Sequence, residues 1–244
     1  MSDPVQLSDS LWIIDGPAVR WFTVPFPTRM VIVRLADNNL LIHSPIELTP
    51  KIRRTVEALG QPKYLVSPNK IHHLFWSNWQ AAYPEALSFS PPGLAQKRPD
   101  LSFYGELGDS PETFWAKEVD QLTFKGSRIF NEVVFFHIPS RTLILGDLVE
   151  NFDPGTLSRF HRLVARFGRV LAPHGQTPLD YRQSFLLRHL EARSSLHRLL
   201  EWGPRSVVMC HGLPVTENAE AFLKAAFGWL QEKDGLTKPW SRYG

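Results

Sequence analysis

Four short apolar runs, far apart in the chain, each lead to side chains that can bind a metal ion or transfer a proton. They lead to His43, to the pair His72 and His73, to Asp147 and to His211. A strand that stops at a His or an Asp places that group at the rim of a sheet, and several such strands side by side bring the groups together. This pattern predicts a metal or catalytic site assembled from distant parts of the sequence.

Alternating strands and helices surround these runs and must position them. The pattern predicts a helix from Pro50 to Leu59 with Thr49 as its N-cap. Further helices are predicted at 71–83, 155–167, 180–202 and 216–229, the last with Thr216 as a possible N-cap. Strands are predicted at 11–14, 30–35, 40–42, 63–66, 119–124, 132–137, 141–145, 169–172 and 206–209. We therefore expect an α/β (α+β) sandwich with two sheets inside and helices outside.

Composition narrows the classes of protein to which the chain could belong. A hydrophobic content of 43% and a charged content of 21% over 244 residues are typical of one globular domain with a large core. No apolar run approaches the roughly 18–20 residues that span a bilayer, and the polar N-terminus is unlike a signal peptide. We therefore expect a cytoplasmic protein with no membrane partner.

Cysteine content and charge exclude two further classes. The single cysteine, Cys210, excludes an internal disulfide and a cysteine-rich zinc site. The net charge is only +3, and the basic residues are interleaved with acids except in the stretch 159–198, so nucleic-acid binding is not indicated. A small molecule is the expected partner, and the sequence leaves the oligomeric state open.

The order of the motifs resembles the metallo-β-lactamase fold, an αββα sandwich with two mixed sheets and outer helices that hosts many hydrolases. More narrowly, the chain resembles the DUF4336 family in three segments. These are Ser-Pro-Asn-Lys-Ile-His-His at 67–73, Asn-Glu-Val-Val-Phe-Phe-His at 131–137 and Cys-His-Gly at 210–212. The resemblance covers roughly residues 10–230 and implies a single domain over residues 1–244.

The metal-binding signature of that fold, Thr-His-x-His-x-Asp-His, is kept only in part. Pro68 and Lys70 stand at the positions of its first two His, and residues 126–128 hold no third His. His72 replaces the signature Asp, and His73 matches the closing His. The resemblance therefore implies that one of the two metal positions has lost its three His ligands.

The resemblance implies that the second metal position keeps His73, Asp147 and His211 and gains His72 in place of a carboxylate. The resemblance assigns its bridging carboxylate to Asp147 and its final imidazole to His211, so His72, His73, Asp147 and His211 are the candidate ligands. Such a set suits one zinc or iron ion with a bound water. Because adjacent helical residues point about 100° apart, His72 and His73 can share one ion only if the backbone there is not helical.

The expected function is that of a mononuclear metal-dependent hydrolase of a small substrate. Lys70 and Asn69 are candidates to stabilise developing negative charge, and Glu132 is a candidate acid, base or partner of Lys70. Redox chemistry at a single iron is not separated from hydrolysis by the sequence. The alternative is a metal-free binding module in which Lys70 forms an ion pair with Asp147.

Two further residues near these motifs have open roles. His43 stands where the family has an Asp, and it is a candidate to orient a ligand. Cys210 follows an apolar strand and is expected to be buried and inert.

Overall fold

Thirteen strands and seven α-helices make up the fold in the computed structural model, which describes residues 3–21 and 24–230. The strands are β1 (Val5–Ser8), β2 (Leu11–Asp15), β3 (Val19–Trp21), β4 (Val24–Phe26), β5 (Arg29–Arg34), β6 (Asn39–His43), β7 (Gln61–Val66), β8 (Leu87–Ser90), β9 (Gly105–Glu106), β10 (Val119–Phe124), β11 (Glu132–His137), β12 (Thr142–Leu145) and β13 (Ser206–Met209). The helices are α1 (Pro50–Leu59), α2 (Trp76–Ala82), α3 (Leu94–Lys97), α4 (Arg159–Gly168), α5 (Leu179–Gln183), α6 (His189–Glu201) and α7 (Ala219–Ala226), with 3₁₀ turns at Pro154–Thr156 and Gly228–Leu230.

Two mixed sheets form the centre of the fold. The larger sheet has the order β1-β2-β5-β6-β7-β8-β9, the smaller has the order β10-β11-β12-β13, and β3 and β4 form a separate hairpin. In the larger sheet β6 runs parallel to β7, with His43 opposite Val66. In the smaller sheet β12 runs parallel to β13, with Leu145 opposite Met209. In each sheet, the segments that follow these parallel strands therefore begin at the same end of the sheet, where the strands reach their carboxyl ends.

Apolar side chains fill three layers. Residues from both sheets, such as Val31, Leu41, Phe135 and Ile144, pack against one another in the middle of the sandwich. Helices α1 and α2 cover the outer face of the larger sheet, and α6 and α7 cover the outer face of the smaller one. Because both faces of the central strands are covered, those strands are apolar without alternation.

The architecture confirms the predicted αββα sandwich with two mixed sheets. Helix α1 has the predicted bounds, and the Thr49 hydroxyl accepts a hydrogen bond from the Ile52 backbone amide at 3.3 Å. The predicted helix at 71–83 begins only at Trp76. Residues 67–75 instead form a polar loop, in which the Ser67 hydroxyl donates to the carbonyls of Asn69 and His72.

Three other predicted elements differ from the structure. The strand at 169–172 is reduced to a single bridge between Leu171 and Phe152. The helix at 180–202 is divided into α5 and α6, because the Ser184 carbonyl accepts from the Arg128 amide rather than from the next helical turn. Helix α7 starts at Ala219 instead of following Thr216, since Asn218 adopts a left-handed conformation with φ 54°.

The predicted helix at 155–167 is also shifted. It becomes the 3₁₀ turn after Asp153 followed by α4, which starts after its N-cap Ser158. No helix within residues 3–21 and 24–230 is long and apolar enough to cross a membrane.

Candidate metal centre

Three of the predicted ligands meet where the two sheets end. Asp147 Oδ2 lies 3.1 Å from His72 Nε2, and Asp147 Oδ1 lies 3.0 Å from His211 Nε2. The two Nε2 atoms are 3.4 Å apart. Within the described part of the chain, these donor atoms form the one group of three His, Cys, Asp or Glu ligand atoms that all lie within 4.8 Å of one another.

Glu132 fixes the turn that carries Asp147. One carboxylate oxygen accepts the Gly146 amide at 2.8 Å, and the other accepts the amides of Asp147 and Leu148 at 2.7 and 3.1 Å. A Cβ atom on Gly146 would lie 2.6 Å from the Pro68 ring, so only glycine allows the two loops to approach this closely. Burial and the neighbouring Asp147 charge raise the pKa of Glu132 to about 7, against the effect of the backbone amides.

Asn69 connects the two carboxylates. Its side-chain amide nitrogen donates to Asp147 Oδ2 at 2.7 Å and to Glu132 Oε2 at 3.2 Å, and its oxygen accepts the Ile71 amide at 3.0 Å. The side chain is fully buried. Asn69 therefore directs one oxygen of Asp147, and every polar atom of its side chain has a partner.

His72 is held from behind by Ser44. Its Nδ1 lies 2.7 Å from the Ser44 hydroxyl, which leaves Nε2 facing Asp147. Burial lowers the pKa of His72, but the charge of Asp147 and the hydrogen bond to it raise this pKa well above its usual value. Burial in turn raises the pKa of Asp147, and the charge on His72 with the hydrogen bonds to both imidazoles outweighs burial and holds that pKa well below its usual value.

His211 is oriented by the backbone of another loop. Its Nδ1 donates to the Pro27 carbonyl at 2.6 Å, and the ring packs edge-to-face on Phe26 at 4.7 Å. The following residue, Gly212, has φ +103°, and a Cβ there would lie 2.1 Å from the Asn151 carbonyl oxygen. The guanidinium of buried Arg29 donates to the carbonyls of Met209 and Gly212 and thereby fixes both ends of this turn.

The donor set fits one small divalent ion. Because a carbonyl can only accept, the Pro27 contact keeps a proton on Nδ1 of His211, so removal of a proton from Nε2 would free the lone pair of that nitrogen for an ion. A tetrahedral ion with ligand bonds of about 2.0–2.1 Å separates its donor atoms by roughly 3.3 Å. The 3.4 Å between the two Nε2 atoms is close to that value.

His73 does not join the group, in contrast to the expectation from sequence. The backbone at His72 and His73 is non-helical, as a shared site would require, yet the two rings diverge. His73 Nδ1 lies 2.9 Å from the Arg98 guanidinium, which also donates to the His73 carbonyl at 3.3 Å. Burial and the charges of Lys97 and Arg98 lower the pKa of His73.

Lys70 also lies apart from Asp147. Within the described residues it has no carboxylate partner within 4.0 Å, and its carbonyl accepts a hydrogen bond from Lys97 at 3.2 Å. The salt bridge between Lys70 and Asp147 that the metal-free alternative invoked is therefore not formed. The imidazoles of His72 and His211 contact Asp147 instead.

His43 and Cys210 pack behind the group. The Cys210 sulfur lies 3.9 Å from His43 Nδ1, and both side chains are buried. Among the residues that the structure describes, His43 Nε2 has no hydrogen-bond partner, and burial with the charge on His72 lowers the pKa of His43 to about 3. His43 is thus a neutral side chain beside the centre.

Several residues that support the centre were not predicted from the sequence. Glu150 is buried near Asp147, and burial followed by the charges of Asp147 and Asp180 raises its pKa well above the usual value. Its position only three residues after Asp147 could have indicated from the sequence that Glu150 lies near the centre. No feature of the sequence indicated the roles of Arg29, Ser44 and the Pro27 carbonyl, because each role depends on contacts between distant segments.

Several solved structures with the same architecture are metallo-β-lactamases. The enzyme from Hirschia baltica aligns with a TM-score of 0.65 and 12% identity over 95% of this chain and 99% of that chain. The enzyme from Pontibacter korlensis aligns with a TM-score of 0.63 and 13% identity over 95% and 99%. FIM-1 from Pseudomonas aeruginosa, in its mono-zinc form, aligns with a TM-score of 0.62 and 8% identity over 94% and 96%. At such low identity these similarities show the fold alone.

Sequence comparison gives a narrower relationship. No match to the chain was found among curated proteins. The family model described as a domain of unknown function, DUF4336, matches residues 8–156, which is more than half of the chain and includes Glu132, Asp147 and the loop with His72. The chain therefore belongs to the DUF4336 family and has the metallo-β-lactamase fold.

Proposed function

We propose that the protein is a mononuclear metal-dependent hydrolase of a small substrate, with His72, Asp147 and His211 as the ligands of one zinc or iron ion. The observation that carries this proposal is the convergence of two imidazole nitrogens and a carboxylate, all within 4.8 Å of one another. Three protein ligands leave a coordination position for water, as in catalytic metal sites.

The surrounding residues support a role in holding the ion. His211 receives its orientation from the Pro27 carbonyl, and His72 receives its orientation from Ser44. Partners of this kind fix the tautomer and the ring plane of metal-binding His residues. Asn69 and Glu132 are proposed as positioning residues, because both are fully buried and both act on Asp147 or its turn.

The bound ion would lower the pKa of a water and polarise a carbonyl or phosphoryl oxygen. Lys70 is proposed to stabilise negative charge on the substrate, since it follows Asn69 in the same loop and is only partly buried. His73, whose Nδ1 contacts Arg98, is not assigned to the ligand set. This set of two His and one carboxylate also suits non-haem iron, so the identity of the metal has to be measured.

A metal-free binding protein is the second candidate. It is favoured by one observation: the Asp147 carboxylate lies 3.1 and 3.0 Å from the imidazoles of His72 and His211, so these side chains can satisfy one another through hydrogen bonds. In that case the raised pKa of His72 would make the His72–Asp147 contact an ion pair.

Hydrolysis of nitrophenyl esters and nitrophenyl phosphates tests the proposal. Chelator-treated, zinc-loaded and iron(II)-loaded protein would be compared with Lys70→Met and with a matched control, Lys63→Met, which removes another partly buried lysine. We expect turnover only in a metal-loaded form, a loss of about tenfold or more in Lys70→Met, and little change in the control. Equal turnover with and without metal, or none on either substrate class by protein that binds metal, would contradict the hydrolase proposal.

A further inference from the structure

The outer face of α4 exposes an apolar stripe. Phe160, Leu163, Val164 and Phe167 follow the spacing i, i+3, i+4, i+7 and are 68, 54, 44 and 72% exposed. In a globular protein a stripe with this spacing normally faces the core. In α4 it faces away from the core, so burial within the domain does not explain the apolar residues.

A different side of α4 attaches the helix to the protein. Ala165 is buried in a small cluster with Phe152 and Val170, against which Phe26 also packs. The N-cap of the helix is Ser158, whose hydroxyl accepts the His161 amide at 3.2 Å. The helix is thus fixed through one side, and the apolar stripe is held at the surface as a preformed feature.

Arginines form a second exposed stripe beside the apolar one. Arg159, Arg162 and Arg166 lie in the helix, Arg169 is its C-cap, and no acidic residue occurs between positions 159 and 169. At 3.6 residues per turn, the arginines, the apolar stripe and Ala165 occupy three different sides of the helix. None of the four arginines forms an ion pair within the part of the chain that the structure describes.

We propose that α4 docks this protein on the surface of an anionic lipid bilayer. The apolar stripe would enter the headgroup boundary, and the arginines would bind lipid phosphates and carboxylates. This peripheral contact needs no spanning helix. It departs from the sequence-based expectation of no membrane partner, which considered only spanning segments and a signal peptide.

Charge and shape favour a bilayer over other occupants of this face. A second copy of the chain would bring two arginine stripes together without compensating acids. A hydrophobic groove on another protein would accept the apolar stripe alone and would leave the four arginines without anionic partners. A flat anionic surface receives both the apolar stripe and the arginines.

Vesicle flotation tests the proposal on the full chain. Vesicles of phosphatidylcholine alone would be compared with vesicles containing phosphatidylserine, at low and high salt. The variants are Phe160→Ser/Phe167→Ser and Arg162→Gln/Arg166→Gln. The matched control is Val5→Ser/Ile138→Ser, which removes two exposed apolar side chains, 51 and 40% exposed, from other elements. Circular dichroism and the thermal midpoint would show that each variant is folded.

We expect binding to the phosphatidylserine vesicles that weakens at high salt, and much weaker binding to phosphatidylcholine. Each α4 variant should lower the partition coefficient about tenfold or more, whereas the control should stay within about twofold. No binding to anionic vesicles at low salt, or an equal loss in the control, would overturn the proposal. Self-association that the phenylalanine variants abolish, without vesicle binding, would assign this face to a second copy and would also overturn it.

Discussion

At the scale of single residues, the geometry of the metal centre depends on the buried carboxylate of Glu132, which supports the turn that carries Asp147. Glu132 accepts hydrogen bonds from three consecutive backbone amides and from Asn69, and so determines where Asp147 points. The sequence indicated Glu132, ahead of an apolar strand, as a candidate acid, base or partner of Lys70. Its partners could not be predicted, because the turn at 146–148 comes close to it only in the folded structure.

Replacing Glu132 with Gln should weaken both the fold and the metal site. An amide has one acceptor oxygen, so at least one buried backbone amide loses its partner, and we expect a loss of about 1–3 kcal/mol in the free energy of unfolding. Metal affinity should fall about 10–100-fold, as for other partners of metal ligands. Urea unfolding and competition with a metal-binding dye would measure these two changes.

Glu118→Gln is the matched control for this prediction. The Glu118 carboxylate also accepts a backbone amide, that of Ala36 at 2.9 Å, but it does so at the surface. We expect this variant to change the free energy of unfolding by less than about 0.5 kcal/mol. An equal effect of the two substitutions would contradict the role assigned to Glu132.

A buried His far from the centre should make the fold sensitive to acid. His137 contacts the hydroxyls of Ser10 and Ser140 at 3.1 and 2.7 Å, and burial lowers its pKa to about 4. The unfolded chain takes up this proton near pH 6.5, whereas the folded chain takes it up only near pH 4. The contribution of neutral His137 is therefore complete above about pH 6.5 and is lost as the pH falls toward 4.

His137→Gln isolates this contribution, since Gln keeps hydrogen-bonding capacity but does not titrate. The free energy of unfolding of the wild type should fall more steeply between pH 6.5 and 4 than that of the variant. Urea titrations at several pH values would give both slopes. Parallel pH profiles would show that His137 does not carry the effect.

At the scale of elements, the long central strands could be predicted, whereas the short strands β1, β3, β4, β8 and β9 and the turns could not. The strands β5, β6 and β11 contain apolar runs that are visible in the sequence. Residues 71–75 of the loop from Ser67 to Phe75 were predicted as the start of a helix, because the aromatic residues at positions 75, 76, 79 and 83 have helical spacing. Hydrogen bonds from the Ser67 hydroxyl to backbone carbonyls hold this segment in a non-helical conformation. In this conformation the ring of His72, but not that of His73, contacts Asp147.

The turn after β13 offers a test at this scale. Gly212 combines φ +103° with a Cβ position only 2.1 Å from a backbone oxygen, so Gly212→Ala is strained in conformation and in space. We expect a loss of more than about 2 kcal/mol in stability and a weaker metal site, because His211 precedes this residue. Gly108→Ala is the control, since a Cβ there meets no atom within 4 Å. Similar thermal midpoints for both variants would contradict the tight fit at Gly212.

At the scale of the whole molecule, two sheets contribute different parts of one centre. The larger sheet supplies His72 after β7, and the smaller sheet supplies Asp147 after β12 and His211 after β13. The order of the motifs predicted that these three residues lie close together, since each follows a strand and the strand ends lie side by side. The sequence alone could not choose which of two adjacent His residues would face inward, because that choice depends on Ser44 and on Arg98.

Metal content is the most direct test of the centre. Protein purified without chelator, before and after supplementation with zinc or iron(II), would be assayed by elemental analysis. The double variant Asp147→Ala/His211→Ala removes two proposed ligands, and His73→Ala is the matched control. We expect about one zinc or iron ion per chain in the wild type and in His73→Ala, and loss of the ion in the double variant. No metal in the wild type after supplementation, or undiminished metal in the double variant, would contradict the proposed metal centre.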